Sequence, residues 1–138
     1  MIGIVIVAHG GLAREYLAAI EHVVGDQLGM RAIGIETSHD RDAKQAEICV
    51  AANDVDTGNG VVIVTDLFGG SPSNLSLLAC QPQGRRILYG ANLPMLIKLA
   101  KSRHKSVGDA VRAAIEAGKK YIDTQNMSVS DDTARKAL

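Results

Sequence analysis

A chain of 138 residues holds one domain and has no room for a second. With 46% hydrophobic and 22% charged residues and a mean hydropathy of +0.07, it is a compact globular chain, not a disordered or fibrous one. Lys+Arg 15 against Asp+Glu 15 leaves no basic excess for a phosphate backbone or an anionic membrane, and 3% aromatic residues offer few stacking platforms for single-stranded nucleic acid. Its partners are therefore expected to be proteins or small molecules.

The chain opens on an apolar run, Ile2–Ala8 (IGIVIVA), which is too short to span a membrane and has no basic residue ahead of it to make a signal peptide. Leu12, Tyr16, Ile20 and Val23 follow at helical spacing, closed by Gly25. A second run, Met30–Ile35, precedes a helical pattern through Ala43, Ala46 and Val50 that ends before Gly58. After a third run, Gly60–Thr65, Ser71 and Pro72 read as the N-cap and first residue of a helix carrying Leu75, Leu78 and Ala79. A weaker run at Arg86–Tyr89 leads into Leu93, Leu96, Ile97 and Ala100, again at helical spacing. The last helix fits Ser106 to about Tyr121, with Val107, Val111, Ala114 and Gly118 along one face.

The runs are β-branched and mostly lack alternation, as parallel strands covered on both faces do. The expected fold is α/β, a three-layer α/β/α sandwich around a mostly parallel four-stranded sheet in the order 2-1-3-4. The domain is read as 1–123, followed by a polar tail over 124–138. Cys49 and Cys80 stand 31 positions apart with no ligand spacing, so they read as buried free thiols of a cytoplasmic protein, and neither a metal nor a cofactor is expected.

Ligands of such sheets sit beyond the carboxyl ends of the strands, where the strand order reverses. His9 follows the first run and Asp66 the third, which places both on one crevice if those strands are neighbours. A carboxylate bonded to one imidazole nitrogen fixes the tautomer and leaves the other as a directed nucleophile or base. Gly69-Gly70-Ser71-Pro72 runs a glycine-rich turn into a helix start, where backbone amides and the Ser71 hydroxyl suit an anion. Together these describe a histidine that accepts a phosphoryl group, with a neutral cradle for its oxygens. Each residue also has a plainer reading: His9 as a satisfied surface residue, Asp66 as a turn or cap, Ser71 as an N-cap, the glycines as ordinary loop. His39 lies on the same edge as a rival nucleophile, within a Ser38-His39-Asp40 helix start where Ser38 or Asp40 would be the cap. His22 and His104 read as solvated. The chain has no Gly-x-Gly-x-x-Gly after its first run, no Gly-x-x-x-x-Gly-Lys and no His-Glu-x-x-His, which removes dinucleotide, P-loop and zinc-protease chemistry.

Ile6-Val7-Ala8-His9-Gly10, Thr65-Asp66-Leu67-Phe68-Gly69-Gly70-Ser71-Pro72-Ser73-Asn74 and Gly90-Ala91-Asn92-Leu93-Pro94-Met95-Leu96 resemble, in order and spacing, the enzyme IIA domain of the mannose/sorbose family of the bacterial phosphotransferase system. The resemblance implies that His9 takes a phosphoryl group from the phosphohistidine of the carrier HPr and passes it to a IIB component on a separate chain. Asp66 would hold the His9 ring, while Gly10, Gly69, Gly70 and Ser71 would bind the phosphate. It further implies a homodimer completed by a short antiparallel C-terminal strand exchanged between protomers, with Lys119–Asp123 in the matching place. A regulatory IIA that uses His9 as a switch for a kinase or transcription regulator is the alternative role. Family members usually carry Phe where this chain has Ser73, so a hydrophobic contact at the rim is expected to change.

Overall fold

A computed structural model describes residues 1–127 of the chain. Four strands, β1 (Gly3–His9), β2 (Met30–Ile35), β3 (Val61–Thr65) and β4 (Arg85–Leu88), form one parallel sheet in the order β2-β1-β3-β4. β1 and β3 are central, and their Ile and Val residues are buried on both faces, each such side chain contributing about 1.5–3 kcal/mol. α1 (Leu12–Val24), α4 (Leu93–Lys101) and α5 (Val107–Lys120) cover one face; α2 (Arg41–Val55), the short α3 (Ser71–Leu75) and a 3-10 turn at Leu78–Cys80 cover the other.

The four parallel strands and the helices between them are present, with most boundaries shifted by a residue or so. Two helices turn a different face inward than their spacing suggested. In α2 the buried side is Ile48, Ala51, Ala52 and Val55, while Val50 is exposed. In α1 it is Ala13 and Ile20, with Tyr16, Leu17 and Val24 packed alongside, while Leu12 and Val23 face outward. The expected helix through Leu75, Leu78 and Ala79 is broken into α3 and the 3-10 turn.

Lys119 and Lys120 close α5, and 121–127 contain no strand, so the described residues of this single chain hold four strands and not the expected fifth. In this single chain the segment Lys119–Asp123 pairs with no strand, and Tyr121 and Ile122 lie exposed. Of the expected tail, 124–127 carry no helix or strand, and the rest lies outside the described residues.

Two close approaches shape the carboxyl end of β1. Gly10 has φ +56, a left-handed turn, and its N–H donates to the Ile35 carbonyl at 2.9 Å, which folds the β1–α1 turn over the end of β2. Gly34 lies directly beneath: a Cβ there would collide with the Gly10 carbonyl oxygen, so β2 needs a glycine at this point.

Candidate functional site

β1 turns toward β2 on one side and β3 on the other, so the crevice between the ends of β1 and β3 is where the strand order reverses. His9 is the last residue of β1 and Asp66 follows β3. The His9 backbone N–H donates to Asp66 Oδ2 at 3.0 Å, and His9 Nδ1 lies 2.8 Å from the same oxygen. Asp66 Oδ1 accepts from the Leu67 N–H at 2.9 Å. Burial pushes the Asp66 carboxyl up, but the His9 N–H, the His9 ring and its charge outweigh that and hold it below the usual carboxylate range. An ionised carboxylate only accepts, so the proton sits on Nδ1, and Nε2 keeps its lone pair. The His9 side chain is 49% exposed and Asp66 only 11%, so the carboxylate anchor lies inside while the ring reaches solvent.

The β3–α3 loop supplies the opposite wall. Gly70, the N-cap of α3, faces the imidazole, and a Cβ there would stand 3.4 Å from His9 Cε1 and 3.8 Å from Nε2. Ser71 is thus the first helical residue and not the cap, so the helix starts one residue earlier than its Ser-Pro pattern suggested. Its exposed hydroxyl makes no hydrogen bond among the described residues. Two of the glycine amides expected for an anion are already used: Gly10 N–H by the Ile35 carbonyl, and Gly69 N–H by Ser73 Oγ at 3.0 Å. The Gly70 and Ser71 amides have no such partner among the described residues, and it is the Cβ position of Gly70 that faces the His9 ring.

Ser73 is not at the rim. It is 3% exposed, and its hydroxyl donates to the Gly70 carbonyl at 3.0 Å while accepting from Gly69, so the expected change in a hydrophobic rim contact gives way to a polar tie inside the loop. The rim itself is apolar. Phe68, the one phenylalanine of the chain, is 81% exposed and sits edge-on against Tyr89 with centroids 4.9 Å apart. On the far side of His9, Gly10, Gly11, Arg14, Gly34, His39 and Lys44 line a cavity of about 330 Å³.

His39 is set up differently from His9. Its Nδ1 accepts the Glu36 N–H at 3.1 Å, so a neutral ring carries its proton on Nε2 and has no free lone pair. Asp40 is the cap of α2, accepting from Asp42 and Ala43. His22 and His104 are exposed, as their positions suggested. The Asn-Leu-Pro-Met block is a brace: Asn92 Oδ1 caps α4 through the Met95 N–H at 3.0 Å, and Asn92 Nδ2 donates to the Gly118 carbonyl in α5 at 3.0 Å.

Tyr16 and Gly34 support the site although the sequence by itself assigns them no part in it. The Tyr16 hydroxyl donates to the Ala91 carbonyl at 3.2 Å, tying α1 to the loop behind Asp66, and its pKa is raised by burial and by the Asp66 charge. Gly34 had a signal, a lone glycine inside an apolar run. Among the described residues no group of three or more His, Cys, Asp or Glu could hold a metal ion, and no helix is long and apolar enough to cross a membrane.

Fold and site define a doubly wound α/β domain with an Asp-held histidine at its switch point. The family model for the phosphotransferase system fructose IIA component, EIIA-man, matches residues 3–116, and the chain belongs to that family. It is 28% identical over 124 residues to the mannose-specific EIIAB component of Escherichia coli K12, an alignment covering 88% of this chain and 38% of that protein's length. Among solved structures it is similar to a phosphotransferase component EIIA from Streptococcus agalactiae, with TM-score 0.74, 26% identity, and coverage of 97% of this chain and 99% of that one. A mannose/sorbose-specific IIA subunit from Enterococcus faecalis shares the fold, with TM-score 0.80, 23% identity, and coverage of 91% and 96%.

Proposed function

We propose that this chain is a phosphocarrier in which His9 Nε2 accepts a phosphoryl group from phospho-HPr and passes it to a IIB component serving sugar uptake. The observation that carries this reading is the 2.8 Å contact between His9 Nδ1 and Asp66, because it leaves Nε2 as the one nitrogen with an available lone pair. In the transfer, that lone pair attacks phosphorus, an N–P bond forms, and the N–P bond of the donor's phosphohistidine breaks with its electron pair returning to the donor ring. The Nδ1 proton stays where it is, so the phosphorylated ring is cationic and paired with the Asp66 carboxylate. The oxygens of the transferring group meet the Gly70 and Ser71 amides and the Ser71 hydroxyl, donors set before charge arrives. No proton has to leave the site, which suits a group that must be handed on.

The family also implies a homodimer, and the open edge of β4 is where an exchanged strand would pair. Beside that edge lies a groove of about 400 Å³ lined by Ile87, Leu88, Met95, Ile115 and Ile122. Sedimentation of the full chain at about twice its monomer mass is the expected result.

Incubation with phosphoenolpyruvate, enzyme I and HPr should load one acid-labile phosphate per chain. His9→Ala should abolish the label and His39→Ala should retain it; the reverse pattern would move the site to His39.

A further inference from the structure

The Ser73 hydroxyl sits under the loop that faces the His9 ring. It accepts the Gly69 N–H and donates to the Gly70 carbonyl, each at 3.0 Å, and the Asn74 N–H reaches the same carbonyl at 3.0 Å. Across a planar trans peptide bond the C=O and N–H point in opposite directions. With the Gly70 carbonyl turned in toward Ser73 and Asn74, the Ser71 N–H across the same bond is turned outward. The peptide plane before Gly69 is pinned in the same way, through its N–H.

The hydroxyl therefore fixes peptide planes on both sides of Gly69-Gly70, in a stretch where Gly69 adopts φ +82 and two consecutive glycines would otherwise sample many conformations. Ser73 is buried and turned to the loop backbone, so it can act only through that backbone. It also makes no use of the solvent side, where a partner protein would dock.

Resting on the reading of His9 as phosphoryl acceptor, we propose that Ser73 is a positioning residue for transfer: its hydroxyl presets the Ser71 amide for the phosphoryl oxygens, holds the peptide planes on either side of the Gly70 amide, and withholds the Gly69 amide from them. Donors already aimed at the position of developing charge need no reorganisation during the reaction, whereas a loop that must settle first slows the step itself. The effect should thus fall on kcat and not on the affinity for the donor. Ser73 forms and breaks no covalent bond.

The test is rapid-quench labelling of the full chain by phospho-HPr, comparing wild type, Ser73→Ala and Ser73→Thr, with Tm and labelling stoichiometry recorded for each. Loss of one tie of this kind predicts a kcat about tenfold lower for Ser73→Ala with KM changed less than about twofold, and recovery to within about threefold for Ser73→Thr, which keeps the hydroxyl. A Ser73→Ala protein that is folded and matches wild-type kcat, or a folded Ser73→Thr that recovers nothing, overturns the proposal. A second measurement needs no variant. On phosphorylation of the wild-type protein, the Gly70 and Ser71 amide proton resonances should move downfield while Gly69 stays nearly still; a Gly69 resonance that moves most overturns the proposal. Failure of the wild type to take label on His9 would defeat the phosphocarrier reading itself, a result separate from either of these.

Discussion

Gly70→Ala adds one methyl group at the point where ring and loop meet. The Cβ would stand 3.4 Å from His9 Cε1, 3.8 Å from Nε2 and 3.7 Å from Pro72 Cδ, all ordinary contacts, so the unphosphorylated protein accommodates it. The backbone at Gly70, φ −85 and ψ 178, is open to any residue. Replacing glycine there restricts the unfolded chain by about 0.4–1 kcal/mol, while alanine is a poorer N-cap by a similar amount, so stability should change by less than about 1 kcal/mol. For a domain of this size that is a Tm shift of at most about 5 °C. Transfer is another matter. Reacting atoms must come within about 3–3.5 Å, and the methyl occupies the side of Nε2 from which the loop amides would reach the phosphoryl oxygens. Seating the group then requires a displacement of about 1 Å, which costs on the order of 100-fold in rate. Labelling by phospho-HPr under single-turnover conditions should show this loss with Tm nearly unchanged. An alanine variant that labels within about threefold of wild type would refute the placement of phosphate between Gly70 and His9.

Asp66→Asn removes the carboxylate charge and leaves one oxygen to serve both the Leu67 N–H and the His9 Nδ1 proton, so transfer should fall by at least about 100-fold in the same assay, with near-normal rates as the refuting result. Because the Asp66 pKa is depressed in the folded state, its stabilisation is fully present above its ordinary value near 3.8 and is lost as pH falls through the lower folded value. Urea midpoints measured from pH 6 to pH 2.5 should show a fall in wild type that is smaller in Asp66→Asn; parallel curves would contradict it. Gly34→Ala should cost about 1–3 kcal/mol by driving the Gly10 carbonyl off β2, read as a lower urea midpoint. Burial pushes the Cys80 thiol up to about 11. At pH 8 it should react with Ellman's reagent on the order of 100-fold more slowly than a free thiol, and a fast reaction in the folded protein would contradict its burial.

The pairing of His9 with Asp66 is legible in the sequence because each follows a β-branched run, and parallel strands deliver their next residue to a common edge. Helix faces were harder to read. In α2 the alanines at 43 and 46 fit an inward stripe as well as those at 51 and 52, and only the register of α2 against β1 and β2 selects the latter. Ser71 and Ser73 are separated by one proline and look equally fit to cap; the chain's entry into α3 through Gly70 leaves Ser71 facing outward and turns Ser73 under the loop.

What the sequence by itself determined is the alternation of strands and helices, the parallel sheet, and the edge on which His9, Asp66 and the glycine loop stand. These follow from local composition and from period, which need no knowledge of distant residues. The tertiary structure alone decided which amides remain free for an anion, since Gly10 spends its N–H on Ile35 and Gly69 on Ser73. It likewise decided that His9 Nε2, and neither nitrogen of His39, has a lone pair to offer. Hydrogen-bond partners come from residues far apart in the chain or from the exact turn of one peptide plane, and neither is written in the identity of the residues that compete for them.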